Sequence, residues 1–153
     1  MPRLLQELVR DRAEKHPEKA FVVLGETRLT YAQVDALSSR LARLLMELGC
    51  ERGDRVALLS PKSPIALVGL LGIYKADCIY VPLDPASPAR RIRKIVDSCA
   101  ARWILAAGAV TGLLRELIDW PFAPALSIGW LEAVRPAADE ELPIAFTLGD
   151  LDT

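Results

Sequence analysis

RVALLSPKSPIALVGLLGIYKADCIYVPLD, residues 55–84, decides the fold. RVALLS (55–60) is a short apolar run of the kind that forms a strand buried on both faces, and Arg52-Gly53-Asp54 just before it is a turn. Ser63 and Pro64 are the residue types of an N-cap and a first helical position. The helix they open, to about Ala76, is apolar nearly all round and must be packed on most sides. Residues 78–83 return to a strand pattern. The stretch therefore reads strand, helix, strand, the repeating unit of a parallel sheet.

Upstream, residues 3–15 have Leu4, Leu5, Leu8 and Val9 on one helical stripe, and Pro17 stops the segment. FVVLGETRLT supplies two short strands around Gly25, a hairpin pattern. Thr30 and Gln33 are spaced as a capping box, with Leu29 and Val34 at the positions of a hydrophobic staple. Val34, Leu37, Leu41, Leu44, Leu45 and Leu48 then recur at steps of three and four, and Gly49 closes the helix.

Downstream, Ser87-Pro88 has the same residue types as Ser63-Pro64, and Ile92, Ile95, Val96 and Cys99 mark the buried stripe of a helix ending near Ala100. WILAA (103–107) is a buried-type strand, TGLLRELID (111–119) a helix and ALSIG (125–129) a last strand. The expected fold is α/β: a parallel sheet flanked by helices on both faces, with Rossmann-like or flavodoxin-like layering. Residues 1–153 read as one unit, with a helix and hairpin in 1–29, βα units in 30–129 and a loop-rich tail in 130–153. The tail reading rests on Pro136 and Pro143 and on the acidic run Asp139, Glu140, Glu141.

Composition narrows the function classes. Nineteen Lys and Arg against 20 Asp and Glu leave a formal charge of −1, which gives no global attraction to nucleic acid. The longest apolar run, PIALVGLLGIY (64–74), is too short to cross a bilayer, and the charged N-terminus has no signal-peptide core. Cys50, Cys78 and Cys99 form no C-x-x-C pair, so a zinc site lacks ligands and reduced thiols in the cytoplasm are the expectation.

The search for chemistry in the residues returns little. No G-x-S-x-G, H-E-x-x-H, Walker or G-x-G-x-x-G pattern is present. His16, the one histidine, sits at the polar end of the first helix and reads as a solvated residue. Cys78 and Cys99 read as small buried hydrophobes, and the acidic run as a solvated surface.

DCIYVPLDPASPARRIRK (77–94) raises the sharper question, because Asp84 and four cations follow a strand's end. Arg90, Arg91, Arg93 and Lys94 oppose the helix dipole. They read either as an anion-binding cluster or, the favoured reading, as a solvated face paired with Asp84 or Asp97. Pro82 and Pro85 are expected to end the strand, and Pro88 to follow a Ser87 cap.

Several segments in register resemble one family. LTYAQVDALSSRLARLLMELGCERGDRVALLSPKSP and YKADCIYVPLDPASPARRIRKIVDSCAARWILAA are similar to the N-terminal part of the AMP-forming adenylate ligases. That superfamily includes acyl-CoA synthetases, the adenylation domains of non-ribosomal peptide synthetases, and luciferases. Leu29-Thr30-Tyr31 resembles its first core motif and Tyr74 to Asp84 its second. The resemblance implies attack of a carboxylate on the α-phosphate of ATP, with Mg²⁺, and transfer of the acyl group to the thiol of CoA or a carrier protein. The spelling Val81-Pro82-Leu83-Asp84-Pro85 leans toward amino-acid-activating members.

Two departures stand out. Asp77 occupies a position where the family usually has glycine, and the phosphate loop and later motifs of the family have no counterpart up to Thr153. The resemblance therefore assigns no catalytic, cofactor-binding or metal-binding residue to this chain. It implies a framework piece that is inactive alone and whose partner is the downstream ATP-binding part of the ligase. A stand-alone α/β interaction module, or one half of a split enzyme with an apolar patch prone to self-association, is the alternative. A Rossmann-like nucleotide-binding domain in its own right is a third reading, resting on fold analogy.

Overall fold

The structure, a computed structural model, describes residues 3–120, 126–136 and 142–149. The acidic run 139–141, Pro121, Pro124 and the first residue of the expected last strand, Ala125, lie outside the described residues.

Helix α1 (Leu5–Lys15) leads into a hairpin of β1 (Ala20–Leu24) and β2 (Thr27–Thr30). Helix α2 (Tyr31–Glu47) starts at the expected capping box. Gln33 N donates to Thr30 Oγ1 at 3.1 Å, and Thr30 N donates to Gln33 Oε1 at 2.8 Å. Such a cap stabilises a helix by about 1 kcal/mol, whereas burying a leucine side chain contributes roughly 1.5–3 kcal/mol. Packing therefore holds this helix: Leu41 and Leu45 are wholly buried, and Leu37 nearly so.

The units β3 (Arg55–Leu59), α3 (Pro64–Lys75), β4 (Ile79–Leu83), α4 (Ala89–Cys99), β5 (Trp103–Ala106), α5 (Thr111–Ile118), β6 (Ser127–Trp130) and β7 (Ile144–Thr147) follow in order. The five strands form one parallel sheet in the order β4-β3-β5-β6-β7. Counted within the sheet this is 2-1-3-4-5, the flavodoxin-like doubly wound order.

Strand periodicity sorts the two cores. Val56, Leu58 and Leu105 face one way into the layer of α2 and α3, while Ala57, Leu59, Ile104 and Ala106 face the other way toward α4 and α5. Helix α3 is apolar on most sides because it has neighbours on most sides: α1, α2, the hairpin and the sheet. Its closest approach is at Gly72, where an added Cβ would lie 2.5 Å from Leu41 Cδ2. Lys75 adds a polar tie between the two helices, donating to Asp35 Oδ1 (2.7 Å), Asp35 O (3.0 Å) and Ser39 Oγ (2.9 Å).

Five local expectations are corrected. Pro82 lies inside β4, opposite Leu58, rather than ending it. Because β4 is an edge strand, Pro82 costs no ladder bond there, and it blunts the open edge. Ser87 does not cap α4. The Asp84 carboxylate organises the loop instead, accepting from Ala86 N at 2.9 Å, and Pro88 occupies the N-cap with its carbonyl bonded to Arg91 N and Ile92 N.

Arg93 is buried rather than solvated. It donates to Leu117 O at the end of α5 (3.2 Å) and pairs with Asp97 (3.0 Å), while Arg90, Arg91 and Lys94 are exposed. A cation at a helix C-terminus opposes no dipole, which accounts for its place. Of the α1 stripe only Val9 is buried, and Leu4, Leu5 and Leu8 are exposed. Finally, the tail read as loop contains β7, whose Phe146 packs on Trp103 with ring centroids 5.7 Å apart. That contact crosses 43 residues of sequence, beyond the reach of local periodicity.

Candidate functional site

Open parallel sheets present ligands at the carboxyl ends of their strands, where the strand order reverses. Here that point lies between β3 and β5. The chain leaving β3 turns into α3 on one face, and the chain leaving β5 turns into α5 on the other. Ser60-Pro61-Lys62-Ser63 forms the first exit and Ala107-Gly108 begins the second. Ser63 is the N-cap of α3, accepting from Ala66 N at 3.3 Å, with Pro64 behind it as expected.

The two exits touch. Gly108 has φ +79°, and an added Cβ would meet Pro61 Cδ at 2.9 Å, so both backbone and space demand glycine. Glu132, just past β6, fixes the same point by accepting from Gly108 N at 2.5 Å. The crossing of Pro61, Gly108 and Glu132 was not legible as a site from sequence. Its one local signal is a glycine directly after a buried strand.

Two grooves flank the crossing. One, of about 410 Å³, lies among the hairpin residues Val23 and Leu24, Leu67 of α3, Tyr80 of β4, and Lys62. The other, of about 360 Å³, runs between Leu29, Ile65, Leu131 and Gly149. A larger hollow of about 650 Å³ lies under α1, lined by Leu5, Leu8, Phe21 and Tyr31, on another flank of the molecule.

Among the described residues the edge offers Ser60, Ser63, Lys62 and Glu132, but no arrangement of nucleophile, base and orienting group. His16 is exposed at the end of α1, and the exposed arginines stand on α4. Cys50 is pushed up to about 12 by burial, then by Cys78 and Asp54, and burial also raises Cys78. Both are thus protonated thiols at neutral pH, poor nucleophiles. Burial raises the Tyr80 phenol, with Tyr74 adding to it. Among the described residues no three His, Cys, Asp or Glu side chains converge to hold a metal ion. Among the described residues no helix is long and apolar enough to cross a membrane.

Asp77 sits where the resemblance expects glycine, and its φ is +58°. It follows Ala76, the C-cap of α3, with Asp77 N bonded to Tyr74 O and Cys78 N to Ile73 O, the Schellman pattern. Gly49 does the same job after α2, with Gly49 N on Met46 O and Cys50 N on Leu45 O.

Sheet order, switch point and flanking grooves define a doubly wound α/β domain whose carboxyl edge is drawn together at the Pro61–Gly108–Glu132 crossing. The chain belongs to the AMP-binding enzyme family, whose sequence profile matches residues 9–142. Surfactin synthase subunit 2 of Bacillus subtilis (strain 168) is 34% identical over 113 residues, 74% of this chain and 3% of that protein. FmoA3, a nonribosomal peptide synthetase solved in an α-methyl-L-serine-AMP-bound form, superposes with TM-score 0.71 at 28% identity. That match covers 82% of this chain and 14% of the solved one. A long-chain-fatty-acid CoA ligase described as putative, from Rhodopseudomonas palustris CGA009, shares the fold with TM-score 0.76 at 21% identity, over 93% of this chain and 34% of that one. The chain thus spans 3% of the curated relative and at most about a third of these solved structures.

Proposed function

We propose that this chain is the N-terminal framework of an enzyme that activates a carboxylate with ATP as an acyl-adenylate, releases pyrophosphate and passes the acyl group to a thiol. The family match across residues 9–142 carries the reading. An amino acid is the favoured carboxylate and a carrier-protein thiol the favoured acceptor. The Val81–Pro85 spelling supports this, as does the 34% identity to a surfactin synthase subunit. ATP, Mg²⁺ and the catalytic residues belong to the complete enzyme, in the cytoplasm. The part proposed here contributes the sheet and its rigid carboxyl-edge crossing.

The chain alone is inactive on this reading. Its partner is the remainder of the ligase, seated over the groove beside the hairpin, where Val23 and Leu24 are 59% and 54% exposed. That exposed apolar wall also favours the related reading of a split-enzyme half, which differs only in whether the remainder is covalently attached. The test is ATP–pyrophosphate exchange by the complete enzyme containing this chain, across amino acids and alkyl carboxylates. Exchange with an amino acid is expected. Exchange confined to alkyl carboxylates overturns the substrate assignment, and none with any carboxylate overturns the reaction.

A further inference from the structure

We propose that Cys50 and Cys78 form a reversible intramolecular disulfide that locks the exits of α2 and α3 to each other. The two residues hold equivalent places, each following the left-handed residue of a Schellman cap, Gly49 in one case and Asp77 in the other. Parallel pairing of Arg55 with Ile79 brings the two exits side by side at the amino edge of the sheet. They are laced there by Gly53 N on Asp77 O (2.9 Å) and Ile79 N on Asp54 O (2.8 Å). Cys78 Sγ reaches the carbonyl of Glu51, the residue next to Cys50, at 3.5 Å. Both side chains are buried, at 7% and 6% exposure, in the same core cluster, and each perturbs the other's titration.

The surroundings select the product. The charge of Asp54 raises both thiols and that of Asp77 raises Cys78, while Arg102 acts in the opposite direction on Cys50. A thiolate, or two thiolates on a soft metal ion, would bring further negative charge into this buried place. A disulfide is neutral. Oxidation by a low-molecular-weight disulfide such as oxidised glutathione balances as follows. One cysteine thiolate attacks a glutathione sulfur and expels a first glutathione thiolate. The second cysteine then attacks the protein sulfur of the mixed disulfide and expels the other. Two electrons and two protons pass to glutathione. The first attack is slow because the thiolate is scarce, and the second is intramolecular, from the neighbouring helix exit. Cys99, half-buried on α4, stands apart from this pair.

The folded chain is incubated with excess oxidised glutathione between pH 7 and pH 9, then measured by intact mass, peptide mapping and thermal melting. The expected product is two hydrogen atoms lighter, with Cys50 joined to Cys78. Its rate rises with pH, because the attacking species is the thiolate. The melting temperature rises by about 10 °C and falls back with dithiothreitol, as closure of a loop of this length implies. The Cys99→Ser variant should behave identically. A stable glutathione adduct, a bridge to Cys99, a disulfide-linked dimer, or no mass change after prolonged exposure at pH 9 each overturns the proposal.

Discussion

The two edges of the parallel sheet are built to opposite rules. At the amino edge the exits of α2 and α3 bond to each other, and their side chains are buried thiols and a carboxylate that accepts from Glu51 N. At the carboxyl edge the chain is drawn together at the Pro61–Gly108–Glu132 crossing, and open apolar grooves lie on either side. A closed edge satisfies its own polar groups and sets the register of the helices. The open edge is where the function proposed above seats the remainder of the ligase. The same five strands thus supply a foundation at one end and a platform at the other.

The largest effect is expected where the platform is pinned. Gly108→Val places a branched side chain at φ +79° and against Pro61, so a loss of roughly 3 kcal/mol or failure to fold is expected in denaturant titration. A change under 1 kcal/mol would show that the crossing is looser than its geometry. At the closed edge the comparison sharpens in the opposite direction. Asp77→Gly removes the strain of a left-handed aspartate while keeping the Schellman bonds, and should stabilise the chain by about 1 kcal/mol. A destabilised variant would mean that the Asp77 carboxylate holds something that its strained backbone conceals. The smallest effect belongs to the groove. Leu24→Ser should move the stability of the isolated chain by no more than about 0.5 kcal/mol. It should nonetheless weaken assembly with the remainder of the ligase, read as lost exchange activity on co-expression. Equal activity would remove the groove from the docking surface.

Much of the foundation was legible in the sequence because its signals are local. Thr30 with Gln33, Ser63 with Pro64, and the short apolar runs at 55–60 and 103–107 each state their element within a few residues. What escaped depends on partners far away in sequence. Pro82 is tolerated because β4 ends up at an edge, a fact of strand order that no single strand reveals. Arg93 is buried because α5 ends over it, and β7 exists because Phe146 finds Trp103. The carboxyl-edge crossing was missed for the same reason, since Gly108 and Glu132 meet across 24 residues. Asp84, the residue that first suggested a site, turns out to build its own loop. The Tyr74–Asp84 motif thus identifies the family through its framework.

On the function proposed above, this chain is frame and the catalytic residues lie in the remainder of the ligase. ATP–pyrophosphate exchange by the isolated chain, run against a broad panel of amino acids and alkyl carboxylates with Mg²⁺, tests it most directly. Exchange at background is expected for every carboxylate. Exchange above background with any one of them, lost in the Gly108→Val variant, would place catalytic residues within this chain and overturn that division of labour.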